Sequence, residues 1–383
     1  MEFPKFLYFR VMRKFVPLFL MAMLSCEGGT QNSITDMYPA QEILPPLVTA
    51  RKAAVEWGAA EKAPSSWTLL QCSDLHGSTV QLSRIVAFYQ AYAGHIDAAI
   101  HTGDVVACYY DDPYPWDQVE GAAEVMNVIG NHDCWKGHLV WAQTDIPYDA
   151  TQGEAFERFL APYIQGWGVT RPQGAEDPSS AHYQACYYYK DYAASGIRMV
   201  VLDCIHYEEA QHAWFMEVLE EAREKGLPVV AVQHYPAQSG LELIESGFTE
   251  RDEAMDAEPT PPEGKQMERM PDAAFAAVDA FLDGGGTFVC WLGGHTHLDF
   301  IGHVRGHQRQ LQVLVDKAGE LDDYMQEDRT PGTRNQDAFN LVTVNPSRQA
   351  LFIQRVGCNR DQYLRSKTLF VYDYKRREVL VNE

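Results

Sequence analysis

A chain of 383 residues is long enough for one large domain or two ordinary ones, and 46% hydrophobic with 22% charged residues excludes a disordered chain. With 53 acidic against 31 basic residues the formal charge is -22, which repels nucleic-acid backbones and anionic lipid and excludes a non-specific polyanion binder. Beyond the first 25 residues no apolar run reaches membrane-spanning length.

The N-terminus carries Lys5, Arg10, Arg13 and Lys14, then an apolar run over 16–24, then Ser25-Cys26. Basic, apolar and small residues in that order make a secretory signal, and the apolar part is too short to span a bilayer. Met23-Leu24-Ser25-Cys26 resembles a bacterial lipobox, with Met23 where leucine is usual. The expectation is a signal peptide over 1–25 and a lipid on Cys26, hence an exported protein of the bacterial cell envelope that meets the membrane only through that anchor. A plain signal peptide or an uncleaved anchor is the alternative. Residues 26–66, with Gly28-Gly29, Pro45-Pro46 and Pro64-Ser65-Ser66, read as a tether holding a helix around 48–62.

From residue 67 the chain alternates strands and helices. An apolar run over 67–72 predicts a strand and ends in Ser73-Asp74-Leu75-His76-Gly77. From Leu82, the residues Ile85, Val86, Tyr89 and Ala93 recur at helical spacing. A strand over 96–100 leads to Thr102-Gly103-Asp104, and one over 125–129 to Gly130-Asn131-His132-Asp133. After a strand over 199–202, Trp214, Val218, Leu219 and Ala222 mark the inner face of a helix stopped by Gly226 and Pro228. A strand over 229–232 runs into Gln233-His234-Tyr235-Pro236. Pro271 opens a helix with Phe275, Val278 and Leu282 inward and Gly284 as its stop. The strand over 287–292 then meets Gly293-Gly294-His295-Thr296-His297. Residues 338–344 and 351–356 flank Asn345-Pro346-Ser347 as a hairpin, with a further strand over 369–372. The stretches 135–182 and 237–270 read as polar surface excursions. This alternation implies an α/β core, organised as one domain over 67–383 with a C-terminal β-hairpin extension.

The polar clusters fall just after strands, where α/β proteins place their sites. They supply Asp, His and Asn, a donor set suited to Zn, Mn or Fe, and none relies on cysteine. Asp74 and His76 are two apart, as are His295 and His297, so within a strand each pair would share a face. Glycines before Asp104, Asn131 and His295 allow the backbone to turn sharply. Each block alone is weak, since Gly-Asn-His-Asp can be a plain turn. Five in order, each after a strand, are hard to obtain by accident. Eight cysteines less Cys26 leave seven, so at least one stays unpaired within a single exported chain. Cys72 and Cys290 read as buried thiols. Cys108 and Cys134 each follow a block and are the candidate disulfide pair.

The ordered set resembles the calcineurin-like metallophosphoesterases, whose blocks are Asp-x-His, Gly-Asp, Gly-Asn-His-Asp/Glu, His and Gly-His-x-His. The resemblance covers about residues 67–300. It implies an α/β fold, a two-sheet mixed β-sandwich flanked by α-helices, with two metal ions at the strand ends. Carried over, Asp74, His76 and His297 would hold one metal, Asn131, His234 and His295 the other, and Asp104 would bridge them. His132 matches the family's non-ligand histidine, and Asp133 receives no role. The implied activity is hydrolysis of phosphate monoesters or diesters by hydroxide activated between two ions of Mn, Fe or Zn, with His132 as acid or charge stabiliser. The implied partner is a small or moderate-size phosphoester, not a nucleic-acid duplex. A nucleotide or sugar-nucleotide hydrolase is the alternative within enzymes. A non-catalytic envelope protein that binds metal or phosphate is the alternative from another class.

Two departures narrow the class. Ala107 stands where purple acid phosphatases carry a metal-binding tyrosine, which argues against a tyrosinate–iron site. Protein serine/threonine phosphatases grip phosphate with arginines near these blocks, whereas 105–110 has none and Asp133 is followed by Cys134-Trp135-Lys136. Lys136 could meet phosphate only as a point charge. Tyr109, Tyr110, Tyr114, Trp116 and Trp135 lie near the expected site, as substrate-stacking surface or as loop packing. His206 follows a strand and reads as a surface histidine, with an approach to the pocket as the alternative, and His303 and His307 read as non-ligands.

Overall fold

The computed structural model describes residues 33–56, 66–111, 113–136, 149–164, 166–244, 269–319, 329–358 and 369–382. The signal segment, Cys26, the end of the helix expected over 48–62 and most of the 237–270 excursion lie outside the described residues.

Two seven-stranded sheets carry the structure. In spatial order the first holds β14 (Glu378–Asn382), β13 (Leu369–Asp373), β12 (Ala350–Gly357), β11 (Ala338–Asn345), β1 (Trp67–Cys72), β2 (Ala98–His101) and β3 (Val125–Asn127). The second holds β4 (Tyr188–Tyr192), β5 (Ile197–Val201), β6 (Val229–Val232), β8 (Phe288–Gly293), β10 (His307–Leu314), β9 (Phe300–Val304) and β7 (Leu241–Leu243). Strands β1, β2 and β3 run parallel, as do β5, β6, β8 and β10. Parallel neighbours need crossovers. Thr79–Ala91 supplies one between β1 and β2, and Glu209–Lys225 another between β5 and β6. The expected mixed two-sheet sandwich with helices is therefore the fold.

Continuous apolar runs make these strands, because both faces are covered. All residues of β1, β2, β5, β6 and β8 are buried. Trp291 shows how helices are pinned to the second sheet. Its ring lies 6.0 Å from Phe215, 4.7 Å from Phe275 and 5.2 Å from Phe288. Truncating one such buried ring costs about 3–5 kcal/mol. Helix Glu209–Lys225 stops at Gly226, whose φ of 66° only glycine adopts freely.

The N-terminal helix differs in its bounds from the expectation. Residues within the tether form helices Ile34–Met37 and Ala40–Glu56. Met37, Tyr38, Ile43 and Leu47 are buried, and the Tyr38 hydroxyl donates to Asp337 Oδ2 at 2.7 Å. This stretch is docked on the domain, and its helix begins at Ala40 with Pro45 and Pro46 inside it. β11 lies antiparallel beside β1, with Leu69 opposite Val342, so it completes the first sheet. Strands β4, β7, β9, β10 and β14 were not expected from the sequence. All seven described cysteines are buried, and Cys72, Cys108, Cys134, Cys186, Cys204 and Cys290 are free thiols. Cys108 Sγ donates to Trp135 O at 3.3 Å, which corrects the pairing with Cys134. No helix among the described residues is long and apolar enough to cross a membrane.

Candidate metal centre

The five blocks leave the carboxyl ends of β1, β2, β3, β6 and β8, and backbone bonds knit them together. Asp74 N donates to Gly103 O at 3.0 Å, His76 N to Asp104 O at 3.0 Å, and Gly294 N to His234 O at 3.0 Å. Eight described non-glycine residues have positive φ, and five of them are Asp74 (55°), His76 (45°), Asp104 (62°), His295 (69°) and His297 (57°). Each such conformation costs on the order of 1–3 kcal/mol and persists only where its surroundings impose it. The two Asp/His-x-His pairs therefore owe their shared direction to left-handed turns beyond the strands, not to the pleat of a strand as the spacing suggested. Gly130 is needed for a different reason. A Cβ there would lie well inside contact distance of the Asp104 carboxylate and amide.

Asp104 is central. Its Oδ2 lies 3.2 Å from His234 Nε2 and 3.6 Å from His76 Nε2. Asp74 Oδ1 lies 3.3 Å from His297 Nε2 and 3.8 Å from His76 Nε2. Asn131 Oδ1 is 3.0 Å from both His234 Nε2 and His295 Nδ1. Two donor groups result, Asp74/His76/Asp104/His297 and Asp104/His234/His295, each with its atoms within 4.8 Å of one another and Asp104 common to both.

The chemistry of these donors fits cations. Asp74 Oδ1, His76 Nε2 and Asp104 Oδ2 are buried without hydrogen-bond partners, an arrangement that is costly unless something positive lies among them. His234 Nδ1 donates to Thr102 O at 2.8 Å, which leaves the lone pair of the neutral ring on Nε2, facing Asp104 Oδ2 and Asn131 Oδ1. Acceptors facing acceptors hold together only around a proton or a cation. Burial alone would lower the His234 pKa, and the Asp104 and Asp74 carboxylates raise it to about 9. Burial would raise Asp74, but contact with His297 and His76 holds it well below the usual carboxylate range. Burial, helped by the nearby His234, drives His295 well below the ordinary imidazole value.

Asp133, which the sequence left without a role, accepts from the amides of Gly130 (2.9 Å), Asp104 (3.1 Å), Val105 (2.9 Å) and Val106 (3.2 Å). It locks the β2 and β3 loops together. Burial and the Asp104 charge push it up to about 7, and the amides oppose that shift. His132 donates its backbone N–H to Asp104 Oδ1 at 2.8 Å and its Nδ1–H to Ala107 O at 2.7 Å. That bond frees Nε2, and the ring lies 4.4 Å from that of His76. Ala107 thus orients the histidine through its carbonyl.

Other candidates are placed elsewhere. Lys136 is buried and pairs with Glu154 at 3.0 Å, so it is not a free phosphate contact. Tyr114 and Trp116 are buried and stacked on each other at 5.9 Å, which makes them packing. Trp135 lies beside the site, its ring 5.4 Å from His132. His206 is not on the surface but bound between Asp203 and Ala150 O. His307 donates to Asp279 at 2.6 Å, away from the centre.

The family model of the calcineurin-like phosphoesterases matches residues 68–299, a span that contains all five blocks. The chain belongs to that family. This calcineurin-like phosphoesterase is a phosphoric ester hydrolase of a dimetal-dependent family, with an Asp/His cluster suited to metal. Solved structures similar to it include a dimetal phosphatase from Danio rerio, 13% identical, covering 76% of this chain and 96% of that one with a TM-score of 0.48. Another is GAP50, the anchor in the inner membrane complex of Plasmodium, 10% identical, covering 83% and 88% with a TM-score of 0.37. Both scores lie below 0.5, so membership rests on the family model. No curated protein matches the chain.

Proposed function

We propose that this phosphoesterase hydrolyses small or moderate-size phosphate monoesters or diesters with two bound cations. Asp74, His76 and His297 hold one, Asn131, His234 and His295 hold the other, and Asp104 lies between them. The observation that carries this reading is the set of buried, partnerless acceptors Asp74 Oδ1, His76 Nε2 and Asp104 Oδ2. When bound, two such cations supply Lewis acidity toward phosphoryl oxygens and make hydroxide available near neutral pH. Asp74 and Asp104 bring only two negative charges, so the loaded site stays positive and draws in phosphate despite the acidic chain. His132, with Nδ1–H tied to Ala107, presents Nε2 to give a proton to the leaving oxygen or to stabilise its charge. Trp135 walls that ring on one side. Residues 105–110 offer no arginine and Lys136 is committed to Glu154, which favours a small phosphoester over a phosphoprotein.

Partly exposed Trp135, beside His132, supports a second reading with a nucleotide or sugar-nucleotide substrate stacked on it. The order of residues 5–26 supports an exported protein anchored by lipid at Cys26. Palmitate labelling in the native cell, lost in Cys26→Ser, is the expected result there. Purified protein assayed on generic nitrophenyl monoesters and diesters tests the chemistry. Hydrolysis that needs added Mn, Zn or Fe and stops with chelator is expected. Bound metal without turnover of any ester would instead favour a binding protein.

A further inference from the structure

The loop bearing His295 and His297 runs from Gly293, the last residue of β8, to Asp299, the residue before β9. Neither end residue belongs to the donor set, yet both are gripped from the opposite sheet. Gln71 Nε2 donates to Gly293 O at 3.0 Å. Arg355 Nη1 donates to Asp299 Oδ1 in an ion pair whose side chains are 10% and 6% exposed. Gln71, Asn340 and Arg355 stand in one row across β1, β11 and β12, with Gln71 opposite Asn340 and Asn340 opposite Arg355. Their side chains are also joined. Asn340 Nδ2 donates to Gln71 Oε1 at 3.3 Å, and Arg355 Nη1 donates to Asn340 Oδ1 at 3.3 Å.

Such a row inside an apolar sandwich is a poor device for stability. Buried ion pairs and amides often do no better than apolar residues of equal volume. The row does fix a distance. It sets where the loop begins and where it ends, and His295 and His297, at φ 69° and 57°, serve different donor groups in between. Asp299 reaches further, since its Oδ1 also accepts from Asp316 N at 3.2 Å. The same segment continues to Ala318 and Gly319, whose amides donate to Ser73 O and Asp74 O at 2.9 and 3.0 Å. One carboxylate therefore ties the His295/His297 loop to the segment that supports Asp74.

We propose that Gln71, Asn340, Arg355 and Asp299 form a positioning clamp that holds His295 and His297 at the separation two cations require. The clamp rests on the two-cation reading above. Outer residues that orient ligands typically contribute 10–100-fold in metal affinity. Isothermal titration of Mn²⁺ into chelator-stripped protein reads this, alongside the Tm of the stripped protein. Arg355→Met is expected to weaken Mn²⁺ binding about 10–100-fold, with partial recovery in Arg355→Lys. Arg198→Met is the control. Arg198 is fully buried on β5 and paired with Asp191 (2.7 Å) and Glu221 (2.9 Å), so its loss should lower Tm while leaving Mn²⁺ affinity unchanged. Should Arg355→Met not fold, Asn340→Leu breaks the row at its middle and is read in the same way. A folded Arg355→Met or Asn340→Leu protein with lowered Tm and native Mn²⁺ affinity overturns the clamp. Wild-type protein that takes up no Mn²⁺ overturns the two-cation reading instead.

Discussion

His206, after β5, and His234, after β6, are both buried imidazoles beside a carboxylate, and they part at the second ring nitrogen. His206 Nδ1 donates to Asp203 Oδ2 at 2.9 Å and Nε2 donates to Ala150 O at 2.9 Å. Both nitrogens reach acceptors, and no buried atom of His206 or Asp203 is left without a partner. Burial alone would lower the His206 pKa, and Asp203 raises it to about 9. His234 spends Nδ1 on Thr102 O and turns Nε2 to Asp104 Oδ2 and Asn131 Oδ1, acceptors carried by two other loops. Asp203 instead belongs to the same turn as His206, accepting from the Ile205 and His206 amides at 3.0 and 3.1 Å. A buried histidine with an acid beside it is therefore an ordinary structural pair. Acceptors converging from independent loops, with atoms left unpartnered, are what mark a cation site.

Asp104 carries the largest expected effect. Asp104→Asn should lose metal and activity together, with kcat/KM falling by more than the roughly 100-fold that an outer residue commands. Metal content by mass spectrometry and turnover check this in one preparation. His132→Ala should keep its metal and lose about 10²–10⁴ in kcat, and near-native turnover would remove its assigned role. Gly130→Ala drives a methyl into the Asp104 carboxylate and amide, so about 1–3 kcal/mol of stability should go along with weaker metal binding, read by urea melts and titration. The His206–Asp203 pair gives the smallest effect on chemistry. The folded pKa of His206 is raised from 6.5 to about 9, so its stabilisation is complete below pH 6.5 and is lost as pH rises through 9. Asp203→Asn should cost up to about 3 kcal/mol at pH 6 and little at pH 10, with metal content unchanged. Loss of metal in that variant would undo the distinction between the two histidines.

The five blocks are legible because each is a short polar cluster after an apolar run, a pattern that local sequence carries. The runs that became β1, β6 and β8 are legible for the same reason. The turn geometry is not, since Asp and His, though enriched at positive φ, mostly lie elsewhere, so residue type alone does not mark Asp74, His76 and Asp104. β10 hides because its opening His307-Gln308-Arg309-Gln310 looks like surface. In fact Gln310 is fully buried, accepting from Trp291 Nε1 at 2.8 Å and donating to Phe275 O at 2.7 Å. The helix Ala40–Glu56 hides behind Pro45-Pro46, which read as a breaker until packing supplies what propensity lacks. Lys136 looks free until Glu154, eighteen residues on, takes it. The role of Asp133 needs amides from two loops, and the Gln71–Asn340–Arg355 row needs the register of three strands.

Anomalous diffraction from crystals grown with Mn²⁺ tests the centre most directly. The account predicts two peaks about 3.5–4 Å apart on either side of Asp104 Oδ2, one beside His297 and the other beside His234. A single peak, or peaks remote from Asp104, would contradict it.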